Sequence, residues 1–96
     1  MLLKKPLAVN DVATFKLQNG EEIICTVKEI TDSGYSVRKP VSLVPGPQGG
    51  MGFAPWIMTS DADTFTLNNE QILASGATQA EIAKSYTEAV SDIQLV

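Results

Sequence analysis

The sequence predicts a mainly β fold: a small, strongly bent five-stranded barrel followed by a C-terminal α-helix. Three features carry this expectation: short β-branched and aromatic segments divided by turn residues, a second segment apolar on both faces, and a helical stripe near the C-terminus. Residues 12–17 (Val-Ala-Thr-Phe-Lys-Leu) form the first expected strand, ending at Gln18-Asn19-Gly20, where Asn-Gly marks a hairpin. Residues 21–30 are apolar at Ile23, Ile24, Cys25, Val27 and Ile30, so the middle of the second strand shows apolar groups to both sides of the pleat. Thr31-Asp32-Ser33-Gly34 collects turn formers, and residues 35–39 alternate as a third strand that Pro40 should stop, because proline cannot donate to a ladder.

Residues 40–55 hold four of the five prolines and four of the seven glycines, which predicts a long loop or an irregular hairpin tip. Residues 56–59 (Trp-Ile-Met-Thr) read as a fourth strand, Asp61-Ala62-Asp63 as a turn, residues 65–67 as a continuation or short strand, and residues 72–74 as the last strand. Thr78 and Glu81 have the spacing of a capping box, and Ile82, Ala83, Tyr86, Ala89, Val90 and Ile93 follow one helical stripe. A helix over residues 78–92 should pack this stripe on something apolar. The 96 residues suffice for one domain, with barrel residues 12–74 and the helix sharing it.

Composition excludes several functions. The chain has no histidine, which removes His-assisted nucleophiles and the commonest transition-metal ligand, so no enzyme activity is expected. Cys25 is the only cysteine, so no internal disulfide forms, and its apolar surroundings suggest a thiol packed as a small hydrophobe. The net charge of -4 disfavours a generally basic nucleic-acid surface. Asp61 and Asp63 open a pattern like a calcium loop, but Phe65 stands where a third ligand belongs and Ile72 where the closing glutamate does; no metal is expected. The glycines from Gly46 to Gly52 lack the Lys-Ser/Thr that completes a phosphate loop, and no cofactor is expected. No apolar run reaches the roughly 20 residues of a membrane span. The start, Met1-Leu2-Leu3-Lys4-Lys5-Pro6, lacks the apolar segment of a secretory signal, which makes the cytoplasm the expected compartment.

Residues 15–30 (Phe-Lys-Leu-Gln-Asn-Gly-Glu-Glu-Ile-Ile-Cys-Thr-Val-Lys-Glu-Ile) resemble the first motif of Sm and LSm (Sm-like) proteins: apolar strand, glycine turn, apolar second strand. Gly20 stands at the family's first glycine and Ile23, Val27 and Ile30 at its apolar positions, while Cys25 replaces the glycine that usually lets the second strand bend. The family's second motif would fall at residues 65–69, where neither Arg nor Gly is present. The resemblance covers residues 12–74 and looks closest to divergent members from marine cyanophage sequences, which would place the chain in the host cytoplasm. It implies a five-stranded SH3-like barrel whose fourth strand pairs with the fifth strand of a neighbour, closing a homo-oligomeric ring of about five to seven subunits. Residues 56–59 and 72–74 then become interface strands, with Trp56, Ile57, Met58, Ile72 and Leu73 as interface residues. The family usually has a helix before the first strand; here the helix follows the last one and is expected to cover the barrel mouth.

The resemblance also implies an RNA-binding, RNA-chaperone or RNA-processing role, with a base held by the loop after the second strand. Tyr35 would stack a base, Ser33 lies in the same loop, Asn68 or Asn69 would read a base edge, and Arg38 and Lys39, with Lys4 and Lys5, would supply positive charge. The plainer reading makes Tyr35 a strand residue, the asparagines a turn and the cations solvated. It leads to the alternative function, a non-catalytic assembly module of a phage or protein complex without nucleic acid. Met51, Phe53 and Trp56 belong either to the core and ring interface or to an exposed partner patch.

Overall fold

The computed structural model describes residues 6–95. Strand β1 (Val12–Leu17) turns through Gln18, Asn19 and Gly20 into β2 (Glu22–Thr31). Gly20 has φ 94° and donates its N–H to the Leu17 carbonyl at 2.9 Å, so the Asn-Gly pair makes the hairpin for the reason it was read as one. β2 continues into β3 (Gly34–Pro45), which turns into β4 (Met51–Pro55). An irregular segment then leads to β5 (Thr64–Asn68), a single 3-10 turn (Asn69–Gln71), β6 (Ile72–Ala77) and helix α1 (Ala80–Leu95). All pairings are antiparallel, in the order β4-β3-β2-β1-β6, with β5 on β3.

β3 has one partner, β2, along its length and two in succession on its other edge. Gly34–Arg38 pair with β5, and Val41–Pro45 pair with β4. The changeover is a bulge: Lys39 and Pro40 together oppose Cys25, between the pairs Thr26–Arg38 and Ile24–Val41. Lys39 has φ 51°, a left-handed conformation that costs a non-glycine residue roughly 1–2 kcal/mol. Hydrogen bonds pin it: its N–H donates to the Asp63 carbonyl at 2.7 Å, and its own carbonyl lies 2.9 Å from the Tyr86 hydroxyl. A second bulge, on β2 between Val27 and Glu29, adds to the bend. The curvature that the family takes from a glycine in the second strand is supplied here by these bulges, with Cys25 held between the strands.

These bulges correct two expectations. Pro40 does not stop the third strand, because a bulge position needs no ladder donor there; its carbonyl instead accepts from Trp56 N–H at 2.9 Å. Residues 40–55, expected as a long loop or an irregular hairpin tip, form a hairpin with more strand than that expectation held: the outer half of β3, a tight tip around Gly46–Gly50, and β4. The fourth strand is displaced from residues 56–59 to Met51–Pro55, and it resumes as β5 after an excursion over residues 56–63.

β2 is buried on both sides, as its apolar run predicts. On the inner side Phe15, Ile23, Cys25, Val27, Val37 and Leu67 form the barrel core. On the outer side Ile24 and Val41 meet Tyr86 of α1, flanked by Val12, Leu43, Phe53, Ile82 and Val90. Helix α1 therefore packs on the outer face of the sheet. Burial pushes the Cys25 thiol up to about 12, so it is neutral at neutral pH, and its sulfur lies 3.9 Å from the Ala13 carbonyl. The Thr78–Glu81 capping box does not form. The Thr78 hydroxyl meets that of Thr14 at 2.8 Å and Thr78 N–H continues the ladder to the Val12 carbonyl, so the sheet claims this residue before the helix starts.

Candidate functional site

The expected binding residues fall into two groups. At the far end of β2, the loop Thr31–Gly34 meets the β5–β6 connection. Asn69 joins them, its side-chain amide donating to the Asp32 carbonyl at 2.9 Å and its N–H to the Ser33 carbonyl at 2.9 Å. Ser33, Asn68 and Asn69 are all exposed at this junction. Gly34 starts β3 opposite Asn68, and a Cβ on Gly34 would collide with the Leu67 carbonyl oxygen, so the two segments touch backbone to backbone. Glycine is what allows that approach.

Tyr35 is one residue further along and half-buried. Its ring packs edge-on against Phe15, centroids 5.0 Å apart at 61°, and joins the barrel core. Arg38 and Lys39 lie elsewhere. Arg38 pairs with Thr64 where Gly34 pairs with Asn68, four residues or about 13 Å along β3. The Arg38 Nε donates to Asp63 Oδ2 at 3.3 Å across a half-exposed surface. The Thr64 hydroxyl, Arg38 and the Lys39 charge together hold the Asp63 carboxyl below its usual range. The structure thus assembles Ser33, Tyr35, Asn68 and Asn69 and separates them from Arg38 and Lys39. Lys4 and Lys5 lie outside the described residues.

The residues expected at the ring interface are divided as well. Trp56 is half-buried against the barrel core, and its indole N–H donates to Glu21 Oε1 at 3.2 Å. Bonds from Asn19 and Trp56 lower the Glu21 pKa. Ile57 lines a depression of about 190 Å³ with Pro40, Pro55, Phe65 and Val90, whereas Met58 is 79% exposed. Ile72 packs on the barrel core and Leu73, its neighbour on β6, is 62% exposed. Met51 is exposed and Phe53 packs under α1, centroid 6.3 Å from Tyr86, so the three large residues of this region have three different settings.

The sheet edges are the other candidate surface. Among the described residues β5 pairs only with β3, and β6 only with β1. β5 (Thr-Phe-Thr-Leu-Asn) and β6 (Ile-Leu-Ala-Ser-Gly-Ala) contain no charged residue and no proline, two of the devices that keep an edge from pairing with another chain; β6 does carry a bulge at Leu73, where its register against Lys16 and Leu17 of β1 shifts. Sequence reasoning located the β6 edge by family likeness, placed the other edge at residues 56–59 instead of at β5 (Thr64–Asn68), and missed the Asn69 clamp; two adjacent asparagines signal a turn but not its partner. Among the described residues no group of acids and thiols is placed to hold a metal ion, and no helix is long and apolar enough to cross a membrane.

A family model described as the Sm_like domain matches residues 14–87, from β1 into the first half of α1. The match therefore reaches beyond residues 12–74 and takes in Tyr86. No curated protein matches the sequence.

Proposed function

Because the chain belongs to the Sm-like domain family, we propose that it works as a ring of identical subunits that holds single-stranded RNA at the loops joined by Asn69, without bond-making chemistry of its own. The observation that carries this reading is the pair of uncharged, proline-free edges, β5 and β6. An edge strand is a row of unpaired N–H and C=O groups, and a β5-to-β6 contact repeated between copies satisfies both rows and closes on itself. Interface residues in this arrangement are Leu73 and Ile72 on β6 and the exposed Met58 of the segment between β4 and β5; Trp56 and Ile57 act from within by bracing the excursion. The RNA part rests on the family and on the exposed Asn68 amide and Ser33 hydroxyl beside the clamp that Asn69 makes, polar groups suited to base edges. A ring repeats this small site once per subunit, which raises the effective affinity for a strand that touches several.

A second reading, an assembly ring without nucleic acid, is favoured by particular contacts: Tyr35 is packed on Phe15, Arg38 is paired with Asp63, and the chain carries -4 net charge. Titration of labelled oligo-uridine and oligo-adenosine at about 50 mM and about 200 mM salt separates the two. RNA function predicts micromolar or tighter binding that weakens about tenfold in Tyr35→Ala, is kept in Tyr35→Phe, and weakens in Asn68→Asp, which adds charge to an exposed position. No binding of either oligonucleotide at the lower salt leaves the assembly reading in its place.

A further inference from the structure

We propose that the groove between the N-terminal half of α1 and the outer face of the sheet is a docking site for a basic amphipathic segment of another protein. This inference rests on neither the ring nor RNA. Helix α1 covers the outer face only in part. Two depressions of about 300 and 220 Å³ are walled by α1 residues and a third, of about 400 Å³, continues over β2 and β3; all three include Leu43, which is half-buried. Ile24, Leu43 and Ile82 supply an apolar floor, and Met51, 63% exposed, stands at one end as an adaptable side chain of the sort that suits a binding surface. Glu22 at the start of β2 and Glu81 in the first turn of α1 are exposed carboxylates that line the groove.

The floor calls for apolar side chains and the margins for cations. A segment that alternates the two places leucine-like groups on Leu43 and ammonium groups beside Glu22 and Glu81, and the overall -4 charge steers it in. Lys16, the cross-strand neighbour of Glu22, lies toward β6 and sets one limit of the acidic stretch. The groove also starts at the opposite end of β2 from the Asn69-joined loops, so the two surfaces can be occupied together.

The test is anisotropy of a labelled peptide of alternating leucine and lysine, with a leucine–glutamate peptide as control, against the full chain at low salt. The leucine–lysine peptide is expected to bind, to lose at least tenfold affinity on the doubly substituted Glu22→Lys, Glu81→Lys protein, and to be replaced there by the leucine–glutamate peptide. Both positions are exposed, so these variants fold. An equal loss from Glu29→Lys with Glu88→Lys, exposed acids outside the groove, shows only general charge attraction and overturns the proposal. So does absence of binding. A fall in particle mass on adding peptide shows that a second copy of the chain occupies the groove, and also overturns it.

Discussion

Replacing Tyr86 with alanine is expected to destabilise the domain by about 3–5 kcal/mol, the usual cost of deleting a large buried aromatic side chain. Tyr86 is fully buried between Ile24, Val41 and Phe53, and among the described residues it is the one helix side chain that is fully buried in the outer core. Its hydroxyl does separate work. It lies 3.1 Å from the Arg38 carbonyl and 2.9 Å from that of Lys39, sharing its proton between the two carbonyls at the bulge, and 3.3 Å from the Thr26 hydroxyl, which donates to it. Burial raises the Tyr86 pKa, so the donor form persists across the physiological range. Tyr86→Phe should then cost about 1–3 kcal/mol, because it deletes the buried hydroxyl's bonds to the two carbonyls and to Thr26 while keeping the ring. In a domain with about 5–15 kcal/mol to lose, Tyr86→Ala lowers Tm by more than about 12 °C. Thermal unfolding at fixed protein concentration reads both variants. A Tm within a few degrees of the parent for Tyr86→Ala would mean that α1 is not part of the folded core.

Gly34→Val should be nearly as damaging for a different reason. A Cβ there overlaps the Leu67 carbonyl oxygen and sits 3.0 Å from the Asn68 Cα, and these are backbone atoms that cannot rotate away. Either β3 parts from β5 at its first pair or the whole ladder shifts, at a cost of about 3 kcal/mol or more. The Asn69 bonds to Asp32 and Ser33 lie just beyond that pair and should open first. Hydrogen exchange at the Asn69 amide is therefore expected to accelerate more than exchange at Phe15 or Cys25 in the β1–β2 ladder. Unchanged Asn69 exchange together with an unchanged unfolding midpoint would show that β3 and β5 do not approach so closely.

The parts of this fold that were legible in the sequence are those set by local chemistry. Asn19-Gly20 fixes a hairpin because glycine adopts the required positive φ. The run Ile23-Ile24-Cys25-Thr26-Val27 predicts burial on both faces, and the structure fills one with the barrel core and the other with α1. The helix stripe predicts its own packing, with Tyr86 at its centre. What the sequence concealed depends on partners distant along the chain. Pro40 looks like a strand terminator until Cys25 is seen facing a bulge. Thr78 looks like a helix cap until Thr14 is found beside it. The same holds for the candidate site: Ser33 and the two asparagines could be named from their place in the chain, but Asn69 as the residue that ties two loops together depends on a contact across 37 positions. Tyr35 reads by position as a base-stacking or a strand residue, and its contact with Phe15 joins β3 to β1, two strands that do not pair and that no local pattern brings together.

The proposed function depends on β5 and β6 being completed by other copies of the chain. Light scattering coupled to size separation, run across the micromolar range, measures this without any assumption about RNA. The account predicts one discrete species whose mass is several times the 10.3 kDa subunit and stays constant with dilution. A 10.3 kDa particle at every concentration, with both edges left to the single chain, would contradict it.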